Sequence, residues 1–443
     1  MKSVDVHIPE NLPPRLYDRI AYVIDFLNAH PFIKEDIILR HRVSDGQEGK
    51  LVFKVDNDAY TMPCGKYFLD FSEEEFLSLK ANVVWHENNI LYAVEKESQS
   101  KRPLVDNESI CIDLLEVIFF HISRVEETVL NQKDFIGDKE AFEEKLFLVR
   151  QKIYRRPVVD DIARTLLKIL TGKEVKHTTD IVLSHDIDEI NKFHSPFTLV
   201  KKIGGQIKNR QSLKGFKPLF RSYKEYLTQG RDPYDTFDWM LKKGTSEKYI
   251  YFLSGGNHYW DRPYNMKSDY FRKVIQLVEE RNYQVGIHPS YESWDKVDLI
   301  KEEKVYLEEV IGAEIKLSRQ HFLNFDISVT ADLLIEAGIN RDSSLGYTRH
   351  VGFRCGTGFP YKLYDFNKEE KSRLVEDPLV LMDSSAFHEV NYADDKLLPL
   401  LTTFLEANRE GTRVMCNFHN TFFDEMEMRR VDLKFFYHNH FSI

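Results

Sequence analysis

The chain has 443 residues, of which 42% are hydrophobic and 30% charged, a composition typical of a soluble globular protein with more than one domain. Its formal net charge of −10 argues against a nucleic acid or an anionic membrane surface as the main partner. The four cysteines are scattered and form no CxxC pair, and the sequence has neither an apolar leader nor an apolar run near the ~18 residues of a membrane span. These features together predict a cytoplasmic protein with reduced thiols.

A mixed α/β module is predicted over residues 1–155. Helical spacing of apolar residues predicts a helix over Leu16–Leu27, and β-rich runs predict strands at Leu51–Val55 and Tyr67–Phe71. A hairpin is predicted around His86–Asn89. Two helices close the module, at Lys139–Tyr154 and Val158–Leu170. No catalytic group stands out here, so we expect a packing module or a contact surface for a protein partner.

A second unit is predicted over residues 178–443, where strand, loop and helix alternate. The β-rich runs are Ile181–Ser184, Tyr249–Leu253, Tyr283–Ile287, Glu314–Ser318, Leu379–Met382 and Arg413–Phe418. The helical stretches between them are Tyr270–Glu280, Lys301–Ile311 and Ser328–Ala337. This alternation indicates parallel strands, in an open sheet or a (β/α) barrel. In a barrel the chemistry lies at the carboxyl ends of the strands.

The first of these strands ends in Ser184-His185-Asp186-Ile187-Asp188. Because side chains alternate along a strand, Asp186 and Asp188 are predicted to point to the same side. Two adjacent carboxylates repel each other unless a cation or a shared proton lies between them. The pair therefore indicates a metal ligand and a general base, with a capping aspartate beside a solvated one as the alternative.

Other strand ends carry further candidate ligands and acids. His288 and Glu292 follow the third run, four residues apart, and become neighbours if a helix starts at Pro289. His419 follows the last run and has a pKa suited to a general acid. Cations, carboxylates and a phenol at other strand ends are candidate contacts for a base or a substrate: Arg319, His321, Tyr291, Arg354 and Asp342.

The order of these segments resembles the polysaccharide deacetylases, also called carbohydrate esterase family four or the NodB-homology group, whose motifs lie on a distorted (β/α) barrel. The resembling segments, in order within residues 180–420, are Ser184–Asp188, His288–Glu292, Arg319–Phe322, Asp342–Ser344 and Asn417–His419. The N-terminal module lies outside the resemblance. The fold expected from it is α/β, a distorted barrel of this type preceded by a smaller α/β module.

The resemblance implies a metal-dependent deacetylase. Asp186 would be the base, Asp188 and His288 would hold the metal, His419 would be the acid and Arg319 would orient the base. Zinc is the usual metal in the family. Here Glu292 replaces the second histidine of His-x-x-x-His, and His321 stands where a proline is expected, so these two compete for the remaining ligand position and the identity of the metal stays open.

Three hypotheses follow for the function. The first is hydrolysis of an acetyl or similar acyl group from an amino sugar or a glycan precursor. The second is a divergent, non-catalytic protein that binds a glycan or a biosynthetic partner, and the third is a hydrolase of small amides on the same barrel. The long stretch Asn191–Lys248 could cover the site or bind an anionic group through its basic residues, Lys201, Lys202, Lys208, Arg210, Lys214, Lys217 and Arg221.

Overall fold

The computed structural model describes residues 1–44, 49–69, 71–130, 136–193, 199–200, 203, 216–262, 264–424 and 431–441. We call residues 1–172 the N-terminal region and residues 178–441 the C-terminal region. Each contains a main β-sheet. Buried apolar side chains from both regions belong to one continuous core, so the two regions pack directly against each other.

Within the described ranges, the strands of the N-terminal region form two sheets. They are β1 (Lys2–Pro9), β2 (Ile37–Ser44), β3 (Lys50–Val55), β4 (Asp58–Pro63), β5 (Lys80–His86), β6 (Asn89–Glu95), β7 (Arg102–Pro103), β8 (Val105–Asp106) and β9 (Ser109–Ile110). The larger sheet has the order β2-β1-β3-β4-β9-β8, and the smaller has the order β6-β5-β7. The helices of this region are Pro14–Ala29, Glu73–Ser78, Leu114–Ile122, Val125–Val129, Lys139–Lys145, Phe147–Arg150 and Val158–Thr171.

Several predictions for this region are confirmed. The helix predicted from Leu16 runs over Pro14–Ala29, with a proline in its first turn as helix starts allow. The hairpin predicted around His86–Asn89 is the antiparallel pair of β5 and β6. The helix Val158–Thr171 ends at Gly172, whose φ of 72° suits the left-handed C-cap.

Two predictions for this region are wrong. Residues 67–69 form a turn and not a strand, because Tyr67 and Phe68 have φ of 48° and 57°. The backbone N–H of Tyr67 donates to the Glu116 carboxylate at 2.7 Å, so it makes no strand pairing. The single helix predicted over Lys139–Tyr154 is divided at Leu146, whose backbone is extended with ψ of 138°.

The C-terminal region is built on a nine-stranded sheet. Its strands are β10 (Asp180–Ile187), β11 (Lys248–Phe252), β12 (Gln284–Ile287), β13 (Leu317–Ser318), β14 (Arg341–Asp342), β15 (Tyr361–Asp365), β16 (Glu370–Glu376), β17 (Leu379–Met382) and β18 (Arg413–Asn417). Their spatial order is β15-β16-β14-β13-β12-β11-β10-β18-β17. Neighbours pair in parallel, except for the hairpin of β15 and β16.

Helices connect these strands and confirm the predicted alternation. They are Phe216–Gln229, Phe237–Met240, Asp269–Glu280, Val297–Ile311, Thr330–Glu336, Asp383–Glu389, Asp394–Ala407 and Val431–His440. The sheet is curled like half of a barrel, and its edge strands β15 and β17 do not pair with each other within the described ranges. The mixed α/β prediction is therefore confirmed, whereas closure into a full barrel is not observed.

Parallel pairing brings the carboxyl ends of β10, β12, β13 and β18 to one edge of the sheet, where the candidate site lies. Five of the basic residues predicted to cover this edge, Lys201, Lys202, Lys208, Arg210 and Lys214, lie outside the described residues. Lys217 and Arg221 lie on the helix Phe216–Gln229. In the part of the chain that the structure describes, we find no helix with the length and apolar character needed to span a bilayer.

Candidate active site

Asp186 lies near the end of β10 with its carboxylate buried (residue 1% exposed). Its Oδ1 accepts a hydrogen bond from the Arg319 guanidinium at 2.8 Å, and its Oδ2 accepts one from the Asn417 amide at 2.8 Å. Burial raises the pKa of the Asp186 carboxyl, but Arg319 and two nearby histidines outweigh burial, and the net pKa is lowered. Asp186 is therefore ionised at neutral pH.

Arg319 follows β13, and its guanidinium is fully buried. It donates to the carbonyl oxygen of Ser343 at 3.0 Å and to the hydroxyls of Ser343 and Ser184 at 2.9 and 3.1 Å. The guanidinium carbon also lies 4.4 Å from the centre of the Tyr251 ring. A cation held by so many fixed partners orients the Asp186 carboxylate that it contacts.

Asp188, His288 and His321 converge at the same edge of the sheet. Asp188 Oδ1 lies 3.3 Å from His288 Nε2 and 3.8 Å from His321 Nε2. One potential ligand atom from each residue lies within 4.8 Å of the other two. Over the described ranges, no other trio of histidine, cysteine or carboxylate side chains has this spacing.

The hydrogen bonds behind the two histidines fit a metal site. His288 Nδ1 donates to the carbonyl oxygen of Arg319 at 2.6 Å, and His321 Nδ1 donates to the Asp261 carboxylate at 2.9 Å. With Nδ1 of each ring used in these hydrogen bonds, Nε2 of each ring is the atom that lies near Asp188 and that could bind a metal. Asp188 Oδ1 is buried without a hydrogen-bond partner, and a divalent cation would satisfy it. Two imidazoles and a carboxylate suit zinc or another transition metal.

Asp261 was not found by sequence reasoning. Its side chain is 1% exposed. Besides the bond from His321, its carboxylate accepts backbone N–H bonds from Tyr291 at 2.9 Å and from His258 at 3.2 Å. A Cβ on Gly256, whose φ is 97°, would clash with the Asp261 carboxylate. Glycine is therefore required where this loop wraps around the aspartate.

His419 follows β18 and pairs with Asp383, a second residue that sequence reasoning missed. Its Nδ1 donates to Asp383 Oδ1 at 2.6 Å, and its backbone N–H donates to Oδ2 at 2.8 Å. Its Nε2 lies 3.9 Å from carboxylate oxygens of both Asp186 and Asp188. Burial lowers the pKa of His419, but Asp383 and the two other aspartates outweigh burial and raise the pKa to about 10. His419 is therefore an imidazolium at neutral pH.

The candidate catalytic and metal-binding side chains line one cavity of about 240 Å³. The lining includes five residues predicted from the sequence: Asp186, Asp188, His288, His321 and His419. Its other walls contain apolar and polar side chains, namely Phe322, Leu323, Met382, Phe422, Gln320, Thr348, Ser384 and His388. A carboxylate, an imidazolium and a potential metal trio thus face one small cavity.

Glu292 does not join the metal trio. The chain after His288 does not form the predicted helix, since a 3₁₀ turn begins only at Ser293. His288 and Glu292 are therefore not neighbours on a helical face. The Glu292 side chain is 55% exposed and lies 3.4 Å from Lys296 Nζ. Of the two residues that competed for the remaining ligand position, the structure brings His321 to the cluster.

Tyr291 lies beside the cavity and is absent from its lining. Its ring stacks on His258 with a centroid distance of 4.3 Å and an interplanar angle of 11°. It also lies 5.4 Å from the ring of Phe322, which does line the cavity. The structure thus places the Tyr291 ring in the packing next to the site, and its substrate contact stays a prediction.

Arg354 and Asp342 are buried away from the cavity lining. Arg354 donates to the two carboxylate oxygens of Glu127 at 2.9 and 2.7 Å, and so connects the two regions of the chain. Asp342 accepts from the Ser318 hydroxyl at 2.5 Å and from the Ser344 N–H at 2.8 Å. Both were predicted to bind substrate, but their charges and hydrogen bonds are used inside the protein.

Residues 13–174 match the model of a family of unknown function, DUF7033. This match covers much of the N-terminal region and leaves the candidate site outside. Comparison with curated proteins finds no match.

The chain is similar in fold to several solved structures. One, from Mycobacterium smegmatis, is assigned as a polysaccharide deacetylase, with 16% identity and a TM-score of 0.35 over 60% of this chain and 86% of the other. Another is the allantoinase PuuE, with 12% identity and a TM-score of 0.33 over 57% and 84%. A third is a mutant of a family-four carbohydrate esterase pseudoenzyme with restored activity, at 8% identity and a TM-score of 0.24 over 60% and 67%. At this level of similarity, none of them assigns an activity to this chain.

Proposed function

We propose that this protein is a metal-dependent hydrolase of the polysaccharide-deacetylase type, which removes an acetyl or similar acyl group from an amino sugar or glycan precursor. In this proposal residues 178–443 form the barrel-type catalytic domain and residues 1–155 form an accessory module. One observation carries the proposal. The trio of Asp188, His288 and His321 shares a cavity with Asp186, which is paired with Arg319, and with His419, which is paired with Asp383.

Asp188, His288 and His321 would hold a divalent cation, with zinc as the first candidate, and this ion would supply Lewis acidity that lowers the pKa of a water molecule and polarises an acyl carbonyl. Asp186 accepts the proton of the attacking water, and Arg319 keeps its carboxylate ionised and oriented. His419 donates its Nε2 proton to the leaving nitrogen or oxygen, while Asp383 holds the ring. In the net reaction, water and the acylated substrate give a carboxylic acid and a free amine or alcohol. The acyl bond to nitrogen or oxygen is broken, and the new bond joins the acyl carbon to the oxygen of water.

One further observation supports a glycan as substrate. Trp260 is 45% exposed, and its ring lies 5.4 Å from that of Phe322, which lines the cavity. Exposed aromatic faces next to a pocket are typical of binding sites.

Metal binding tests the ligand set. The purified chain should retain about one divalent ion. His321→Gln should lower the metal affinity by more than the roughly 10- to 100-fold expected for loss of a residue that only supports a ligand, because it removes a ligand atom itself. Glu292→Gln is the matched control and should bind as the wild type does. Loss of metal in the Glu292 variant with retention in the His321 variant would show that the ligand set is wrong.

Acyl release tests the reaction. The full chain loaded with Zn²⁺, Co²⁺ or Ni²⁺ should release acetate from N-acetylated chito-oligosaccharides, and Asp186→Asn should reduce this by roughly 10²- to 10⁴-fold while leaving metal content intact. Small amides belong in the same screen. Turnover of small amides but not of acetylated sugars would show that the proposed glycan substrate is wrong. Sugar binding without turnover with each of the metals would show that the protein is not a deacetylase.

A further inference from the structure

A short helix of the N-terminal region, Lys139–Lys145, reaches two walls of the candidate active site. Asp138 caps its start by accepting a hydrogen bond from the Ala141 N–H at 3.0 Å. The helix carries Glu143, whose side chain is completely buried. A buried carboxylate requires hydrogen-bond donors, and the donors of Glu143 come from the C-terminal region.

Two consecutive residues supply three hydrogen bonds to Glu143. Its Oε1 accepts from the backbone N–H of Thr348 at 2.6 Å and from the Thr348 hydroxyl at 2.8 Å. Its Oε2 accepts from the backbone N–H of Arg349 at 3.0 Å. Thr348 lines the cavity that contains Asp186 and the metal trio. Glu143 therefore fixes the backbone of one wall from the other region of the chain.

The same segment continues into a neighbouring part of that wall. The Arg349 guanidinium donates to His388 Nδ1 at 2.7 Å, and His388 also lines the cavity. A shift of the backbone at Thr348 would therefore move His388 as well. No residue of the N-terminal region lines the cavity itself among the residues described, so its influence passes through these contacts.

A second part of the cavity wall is contacted indirectly by Lys139. Its Nζ donates to the Asn324 side-chain oxygen at 2.6 Å, and the Asn324 amide donates to the carbonyl oxygen of Tyr291 at 2.8 Å. The two residues before Asn324 line the cavity with left-handed backbones, Phe322 at φ 59° and Leu323 at φ 53°. Such backbones are costly for non-glycine residues and persist only where their surroundings hold them.

We propose that Glu143 and Lys139 are positioning residues of the candidate active site, through which the N-terminal region sets the two walls that receive the substrate. The inference rests on the proposed function in taking this cavity as the reaction site. It gives the DUF7033-matched region a defined role, namely to shape the substrate cavity from outside without supplying a reacting group.

Glu143→Gln in the full-length chain tests this inference, because the amide that replaces one oxygen cannot accept from the donor it faces. Exchange of the Thr348 and Arg349 amide protons should accelerate about tenfold, as expected for the loss of a hydrogen bond to a charged group. With Zn²⁺-loaded protein, KM for N-acetylated chitopentaose should rise about tenfold by the same reasoning. The values of kcat and of Zn²⁺ affinity should stay near those of the wild type, since Asp186 and the trio are untouched.

Glu369→Gln is the matched control. Glu369 also accepts two hydrogen bonds across the two regions, from Arg19 at 3.1 and 2.9 Å, but it lies outside the cavity lining. The Glu369→Gln variant should change neither the amide exchange rates of residues 348 and 349 nor KM. If Glu143→Gln does not fold, Thr348→Val removes one bond to the same carboxylate and should raise KM in the same direction.

Equal exchange in the two glutamate variants would overturn the inference. Faster exchange with unchanged KM would overturn it too, since Glu143 would then support only the fold. If wild-type protein hydrolyses no substrate under any metal, the proposed function fails, and the exchange comparison alone then decides whether Glu143 holds the cavity wall.

Discussion

Replacement of Asp261 by asparagine should weaken metal binding without touching a ligand. The carboxylate accepts from His321 and Tyr291 on one oxygen and from His258 on the other. An asparagine does least damage with its NH₂ group toward the His258 N–H, which leaves a neutral carbonyl opposite His321. A neutral acceptor forms a bond about half as strong as a charged one, so we expect the metal dissociation constant to rise roughly tenfold, at the lower end of what loss of such a supporting carboxylate costs.

The assay is competition for Zn²⁺ or Co²⁺ with a chromophoric chelator at fixed pH. Asp232→Asn is the matched control, because the Asp232 carboxylate is also buried and accepts backbone N–H bonds from Lys192, Phe193 and Tyr234 without contacting the trio. Both variants should lose similar stability, and only Asp261→Asn should lose metal affinity. Identical affinities in the two variants would refute the reasoning that Asp261 holds His321 for the metal.

Three further changes test other parts of the structure. His419→Gln should lower kcat by roughly 10²- to 10⁴-fold because it removes the acid, with metal affinity unchanged; an unaltered kcat in steady-state assays would remove His419 from the mechanism. Burial and Arg124 lower the pKa of His121 to about 3 in the folded protein. As the pH falls below about 6.5, only the unfolded chain therefore binds a proton at this histidine, and the folded state loses stability. Urea unfolding of the wild type should show a loss of about 2 kcal/mol between pH 7 and pH 5 from this source, and His121→Gln should not show it. Arg354→Met leaves the Glu127 charge buried and should cost roughly 3–5 kcal/mol in the same unfolding assay, with retained metal stoichiometry as evidence that Arg354 is structural.

The parts of the site that follow strand ends could be predicted from the sequence. Asp186, Asp188, His288 and His419 each come at or just after the end of a β-rich run, and parallel strands bring such ends together. Arg319 also follows a β-rich run, and the resemblance to the deacetylases added its predicted role of orienting the base. Its contact with Asp186 depends on a pairing of β12 and β13 that involves one residue pair, too short to be read from periodicity.

The parts that depend on loop conformation could not be predicted. Choosing between Glu292 and His321 required knowing that the chain after Pro289 makes no helix. Asp261 lies nine residues beyond β11, and only the glycines at 255 and 256 hinted that the intervening loop approaches another group closely. Asp383 stands directly after β17, a position that sequence reasoning had noted for other strands and overlooked here.

The strand order has a consequence for folding. The trio comes from the connections after β10, β12 and β13, and Asp261 comes from the connection after β11, so four adjacent strands end at the place where the proposed ion would bind. A cation that binds only the native arrangement links segments that are far apart in the sequence, from Asp188 to His321. Its binding energy then adds to the unfolding free energy, by about 2.7 kcal/mol when free metal is about 100 times its dissociation constant. The ion would act as a removable cross-link for this sheet, and a chelator as its denaturant.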